Sequence, residues 1–155
     1  IGKTSSFLSQ IERGLADPSI TTLRKIAEAL GVPIFFFLLD SGGNCPVVRK
    51  DERKKIKSPE YQATFELLVP DLNREMELVQ FSLKAGGATC DPPLAHPGEE
   101  CTLVLKGRMQ IQIGEEIYEL EEGDTIYYYA SIPHKISNIG EDELVFVSAI
   151  TPARF

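Results

Sequence analysis

The chain has 155 residues, a hydrophobic fraction of 43% and a formal net charge of −7, which suits one ordinary domain or a domain of about 100 residues joined to a smaller unit. No apolar run approaches the ~18 residues of a membrane helix, the longest being the short stretch 32–39 with Pro33 inside it. Three cysteines (Cys45, Cys90 and Cys101) without paired spacing, and no charged-then-apolar leader, fit thiols in a reducing cytoplasm rather than an exported disulfide scaffold.

The charge is unevenly spread. Residues 1–39 hold four basic and three acidic side chains, a net +1, which leaves −8 on the remaining 116 residues. A slightly basic head on an acidic body is compatible with binding nucleic acid through the head alone.

In chain order, Thr4 is a candidate N-cap, Phe7, Leu8 and Ile11 recur at helical spacing, and Gly14 supplies a stop, so a helix of about ten residues is expected. After Asp17-Pro18, Ser19 caps a second expected helix whose Ile20, Leu23, Ile26, Ala27 and Leu30 form one apolar stripe ended by Gly31. A third apolar segment covers residues 34–39. Helices this short are marginal alone and must pack on one another. On the first helix Ser5, Ser6, Ser9 and Gln10 lie opposite the apolar residues, where small hydroxyls and an amide can reach base edges and phosphates. The bland alternative is a merely solvated polar face. Arg13 and Lys25 are candidate phosphate contacts, though charges near helix ends are often simply solvated.

The run Leu8-Ser9, Ile11 to Gly14, Pro18-Ser19, Leu23, Ile26-Ala27 and Ala29 to Val32, with Gly2 and Thr4 ahead of it, resembles the helix-turn-helix domain of the lambda-repressor-like (XRE) regulators. Asp17 replaces the usual asparagine. The resemblance implies operator DNA as partner, with Thr4, Ser5, Ser6, Ser9, Gln10 and Arg13 as the contacting residues, and a homodimer reading two half-sites. Because the family's first helix and most of its second fall ahead of Gly2, the head, residues 1–40, is expected to be truncated at its N-terminus.

A turn-rich stretch, 41–46, is the expected linker, and a mixed-charge run, 49–57, leads into the second unit, residues 47–155. There the period changes to two. Residues 109–113 alternate strictly, 114–116 mark a turn and 117–120 resume; 64–69, 75–83, 125–129 and 143–150 are further expected strands. Helices followed by a run of strands imply two domains.

The chain's two histidines stand in this unit, each next to a proline. His96 and Glu100 are an even number of positions apart, as are His134 and Asn138, so on extended strands each pair shares a face. Two imidazoles and a carboxylate suit a divalent metal such as zinc, iron, manganese or nickel. They equally suit a pocket where the three bond one another or a ligand. Cys101, at an odd offset from Glu100, faces the opposite way, and core packing is its expected role. Of Tyr127, Tyr128 and Tyr129, at least one is expected to line the pocket.

His96, Glu100 and Gly107 are similar to the first cupin motif, and Gly123, His134 and Asn138 to the second. Leu94 stands where the first motif has another histidine, Gly86 or Gly87 fits the opening glycine loosely, and Tyr129 and Ser131 replace a proline and a glycine. The resemblance covers about residues 47–150 and implies a jelly-roll-like antiparallel β-barrel with a central pocket. With one metal ligand of the family's four replaced, a pocket that has lost its metal is the favoured reading. The fold expected is thus mainly β, a cupin barrel carrying a small all-α head. The function expected is a cytoplasmic transcriptional regulator whose barrel senses a small-molecule effector. The alternative is a metal-dependent cupin enzyme of oxygenase or epoxidase type.

Overall fold

The computed structural model describes residues 4–38 and 45–153. Gly2 of the helix-turn-helix pattern, Leu39 of the third apolar segment and residues 41–44 of the expected linker lie outside the described residues.

Helix α1, Ser5–Glu12, begins where Thr4, in extended backbone, accepts the Phe7 N–H at 3.2 Å. It has no fully buried residue; Phe7, Leu8 and Ile11 are half-buried. Helix α2, Ile20–Leu30, is capped by Ser19, which accepts the Thr22 N–H at 3.3 Å, and ends at Gly31 in the left-handed conformation (φ 66°). A side chain with a Cβ is disfavoured in that conformation, so glycine makes the sharp stop. The expected stripe is buried at Ile20 and Ala27 and partly covered at Leu23 and Ile26. Leu30 departs from it at 63% exposed, being the last helical residue before the chain turns away. A 3-10 turn, Ile34–Leu38, then drives Ile34 and Phe35 fully inside.

Nine strands follow among the described residues: β1 Lys55–Ser58, β2 Ala63–Leu67, β3 Glu77–Leu83, β4 Glu99–Lys106, β5 Met109–Ile113, β6 Glu116–Leu120, β7 Thr125–Tyr129, β8 His134–Asn138 and β9 Leu144–Thr151. They make one six-stranded sheet, in the order β1-β2-β3-β9-β4-β7, and one three-stranded sheet, β6-β5-β8; all pairings are antiparallel. Strand β1 falls in the mixed-charge run, where no strand was expected. Ile56 and Ser58 point inward while Lys55 and Lys57 point out, and lysines on an exposed outermost strand discourage pairing with other chains.

Inward residues of the two sheets meet in an apolar core. Phe81 stacks on Phe146 with centroids 4.7 Å apart, and Phe65 meets Phe81 edge-on at 5.3 Å. The helical head is continuous with this core: Ile20, Ala27, Ile34 and Phe35 belong to the same buried cluster as Ile56 and Phe65. Continuity of this kind explains how α2 and the 3-10 turn are held, because apolar burial, at about 25 cal/mol per Å², replaces the stability such short helices lack alone.

Candidate functional site

Strands β4 and β7 pair with Glu100 opposite Tyr128, and β8 brings His134 to the same interior. His96 is not on β4, contrary to the extended-strand expectation. It lies in the loop before it, two residues ahead of Gly98, whose φ is 102° and where an added Cβ would stand 2.0 Å from the Thr151 carbonyl oxygen. Only glycine fits that approach. The loop is fixed from both sides: the His96 N–H donates to the Ala130 carbonyl at 2.9 Å, and Leu94 exchanges backbone hydrogen bonds with His134 at 3.0 and 2.8 Å.

The result is a convergent set. Nε2 of His96 is 3.5 Å and Nε2 of His134 is 3.8 Å from the same Glu100 oxygen, Oε2. The three residues present ligand atoms all within 4.8 Å of one another. Glu100 is 4% exposed and His134 9%. The Nδ1–H of His134 donates to the Ile132 carbonyl at 2.9 Å, and Nδ1 of His96 faces the Pro97 carbonyl at 3.3 Å. A carbonyl only accepts, so a neutral ring in either place carries its proton on Nδ1 and directs its Nε2 lone pair at the centre, the tautomer a metal ligand requires. Nε2 of His96 is buried and makes no hydrogen bond among the described residues. That orphaned atom and the paired lone pairs fit a divalent cation; Leu94, 40% exposed, contributes no donor.

Burial alone would raise the Glu100 carboxyl, but the side chains of His96, Ser148 and His134 around it hold it below the ordinary carboxylate range. His134 is pushed below the ordinary imidazole range by burial, with His96 and Arg24 adding to the effect against the pull of the Ile132 carbonyl and Glu100. The two shifts favour an ionised carboxylate beside a neutral imidazole, which is a ligand set rather than a proton-sharing pair.

Three residues complete the pocket that spacing did not single out. Thr102 Oγ1 donates to Glu100 Oε1 at 3.4 Å and shares a 2.7 Å hydrogen bond with Ser148. Both hydroxyl residues are fully buried. The signal was present: Thr102 has the parity of Glu100, and a polar residue at an inward position asks for a partner. Of the three tyrosines, Tyr128 is the inward one, with its ring 5.0 Å from that of His134, while Tyr127 and Tyr129 are each 60% exposed. Its hydroxyl, buried and without a hydrogen-bond partner among the described residues, is pushed well above the ordinary phenol range by burial and by Glu100. It stays a protonated donor at neutral pH.

Two expectations change. Cys101 does face away from Glu100, but it is exposed on the outer surface and not in the core. Strand β4 of the six-stranded sheet has solvent on its second face, so opposite to the pocket means outside. Asn138, on the same strand face as His134, is spent on backbone: Nδ2 donates to the Leu83 and Asp142 carbonyls at 3.0 and 2.8 Å, and Oδ1 accepts the Gly140 N–H at 2.9 Å. It closes the β8–β9 turn.

At the other end of the chain, Ser5, Ser6, Gln10 and Arg13 of the head are exposed, Thr4 is exposed as the cap, and Ser9 is half-buried. Arg13 folds its Nε back onto the Ser9 carbonyl at 3.1 Å. No helix among the described residues is long and apolar enough to cross a membrane.

Comparison with known proteins agrees with both halves. A cupin-domain family matches residues 79–150 and a helix-turn-helix family residues 1–37. The chain is 28% identical to the HTH-type transcriptional regulator PuuR of Escherichia coli over 99% of its own length and 84% of that protein's. It is 26% identical to the HTH-type transcriptional regulator SutR of the same organism, over 96% of this chain and 80% of that protein. A crystal structure of an HTH_3 family transcriptional regulator from Vibrio cholerae superposes with a TM-score of 0.68 at 26% identity, covering 96% of this chain and 80% of that one. An RmlC-like cupin from Shewanella frigidimarina shares the barrel fold, with a TM-score of 0.59 at 16% identity over 70% of this chain and 91% of that one. A helix-turn-helix match over the head and a cupin match over the barrel place the chain among the XRE-type helix-turn-helix transcriptional regulators that carry a C-terminal cupin domain.

Proposed function

We propose that the barrel is the effector-sensing unit of this regulator and that the effector is anchored at His96, Glu100 and His134. The observation that carries the reading is the convergence of three ligand atoms within 4.8 Å in the barrel interior, beside a Tyr128 hydroxyl and a His96 Nε2 that are buried without hydrogen-bond partners among the described residues. Two imidazoles and a carboxylate would hold a divalent cation with positions left open, and the cation would supply a Lewis-acidic anchor for an oxygen-bearing effector. Without a cation the same groups, with Tyr128 as donor, hydrogen-bond a small polar molecule directly. A regulator needs only a ligand whose affinity differs between two states of the protein.

In the head, Ser5, Ser6, Ser9 and Gln10 read base edges, Thr4 and Arg13 meet the backbone, and two copies of the chain present two such helices to half-sites about one helical turn apart. The outer face of the six-stranded sheet, where Leu103, Leu105 and Tyr127 are exposed, is the surface assigned to the second copy. The domains assigned are 1–40, reading DNA, and 47–155, sensing, joined by 41–46.

The test is an operator-binding titration run with and without Zn2+, Ni2+, Mn2+ or Fe2+ and a panel of small carboxylic acids and amines. The expected result is a shift in operator affinity with at least one of them that Glu100→Gln and His134→Gln abolish, while effector-free binding is kept. Turnover of a panel compound, with operator affinity unmoved by any of them, would instead favour the metal-dependent enzyme, for which the retained His96, Glu100 and His134 are the supporting observation.

A further inference from the structure

The loop between β3 and β4 touches both halves of the molecule. At one end it supplies His96 to the pocket. Along its length it is laid against β8: Asn138 N–H donates to the Gly87 carbonyl at 2.9 Å, Thr89 N–H to the Ile136 carbonyl at 2.9 Å, and Leu94 pairs with His134. Thr89 Oγ1 accepts the Ile136 N–H at 3.1 Å, and the buried Cys90 thiol points at the His134 carbonyl at 3.6 Å. The loop therefore cannot shift without moving the backbone that carries His134.

Its other face is gripped by the head. Arg24 of α2 lies with its guanidinium carbon 5.6 Å from the centroid of the Phe65 ring and donates from Nη1 to the Thr89 carbonyl at 3.2 Å. About one helical turn back, Thr21 shares a 3.2 Å hydrogen bond with the Tyr61 hydroxyl, which also donates to the Asp91 carbonyl at 3.2 Å. Lys135, next to His134, pairs with the Asp91 carboxylate at 2.9 Å. Arg24 thus reaches one carbonyl of the loop directly and Thr21 is linked to a second through Tyr61, and α2 is the helix that follows the DNA-reading α1.

We propose that Arg24 is a positioning residue that couples the two halves: through the loop from Thr89 to His96 it transmits the state of the pocket to α2, and with it the angle at which α1 is presented. This rests on the reading of His96, Glu100 and His134 as the sensing site. The physical basis is that a planar guanidinium held over an aromatic face is fixed in orientation, so its hydrogen bond to a backbone carbonyl fixes the loop as well. Such coupling is reciprocal, and whatever the pocket does to α2, the head does to the pocket.

The experiment is a double-substitution cycle on the whole chain, read by hydrogen exchange of the α2 amides, with β3 and β9 amides reporting that the barrel is intact. The variants are His96→Ala, Arg24→Ala and the pair, in protein stripped of metal by chelator. If the loop links them, His96→Ala speeds exchange in α2 by roughly 5-fold or more when Arg24 is present and far less when it is absent. Arg24→Lys, which keeps the charge but not the flat, forked geometry, should behave like Arg24→Ala. Additive effects in the cycle overturn the proposal, and so does full recovery of coupling in Arg24→Lys, which would leave only a charge acting at a distance. A second arm adds Zn2+ to wild type and Arg24→Ala. Zinc that binds with dependence on Glu100 yet leaves α2 exchange unchanged in wild type also overturns the relay. Zinc that does not bind counts against a cation at the site, while the metal-free cycle still decides the coupling.

Discussion

Replacing Thr102 by valine removes one buried hydroxyl without changing the shape of the side chain, and the surrounding distances set the cost. Thr102 is fully buried, with a 2.7 Å hydrogen bond to Ser148 and a 3.4 Å one to Glu100. A neutral buried hydrogen bond is worth about 1 kcal/mol net and one to a charged group about 1.5–3. The 3.4 Å separation places the second at the low end, so Thr102→Val should cost about 2–3 kcal/mol. Ser148→Ala loses the same shared bond and its support of Glu100, at about 1–2 kcal/mol. Because the 2.7 Å bond is lost in both, the double variant should cost about 1 kcal/mol less than the sum of the two. Urea unfolding reads this directly: at a slope of about 2 kcal/mol/M, Thr102→Val should lower the midpoint by about 1 M. A shift under about 0.2 M, or strictly additive costs, would refute the claim that these hydroxyls hold the Glu100 carboxylate in place.

If a cation occupies the pocket, Glu100→Gln should lower its affinity by at least about 100-fold, since a neutral amide is a poorer ligand than a carboxylate; elemental analysis of protein purified without chelator, followed by titration, checks it, and an ion retained stoichiometrically in the variant argues for another site. Stability should fall with acid. Glu100, held below its ordinary value near 4.5, contributes stability above that pH and loses it as pH falls through the folded value, and His134, held below 6.5, acts in the same direction. Urea midpoints between pH 4 and 7 should therefore rise with pH, and Glu100→Gln should flatten the lower part of that curve. Replacing Ser5 and Ser6 with alanine should lower operator affinity by about 1–3 kcal/mol while leaving binding to scrambled duplex and the salt slope nearly unchanged; equal losses on both duplexes would remove these residues from base reading. Light scattering at micromolar concentration should give a dimer, and Leu103→Glu with Leu105→Glu should shift it to monomer; a wild-type monomer with and without DNA ends the two-half-site arrangement.

The sequence alone carried the local decisions. Thr4 and Ser19 as caps, Gly31 as stop, and the strands at 109–113 and 125–129 all stand as read, because capping and alternation depend on residues a few positions apart. It also carried the sign of Cys101, facing away from Glu100, since parity is a property of one strand. Sheet topology decided what that meant: opposite to the pocket is solvent for β4 in the six-stranded sheet, so Cys101 is exposed. The same holds for β1, hidden in a charged run because an outermost strand presents lysines to water, and for the choice of Tyr128 among three tyrosines. Asn138 shares its strand face with His134, yet its amide closes a turn with Leu83, Asp142 and Gly140. The approach of His134 to Glu100, 34 positions away, and the grip of Arg24 on Thr89, 65 positions away in the loop that brings His96 to the pocket, join residues far apart in the chain. No periodicity reaches that far: such contacts exist only once two sheets and a helix have closed on a common core, and their geometry is set by that closure.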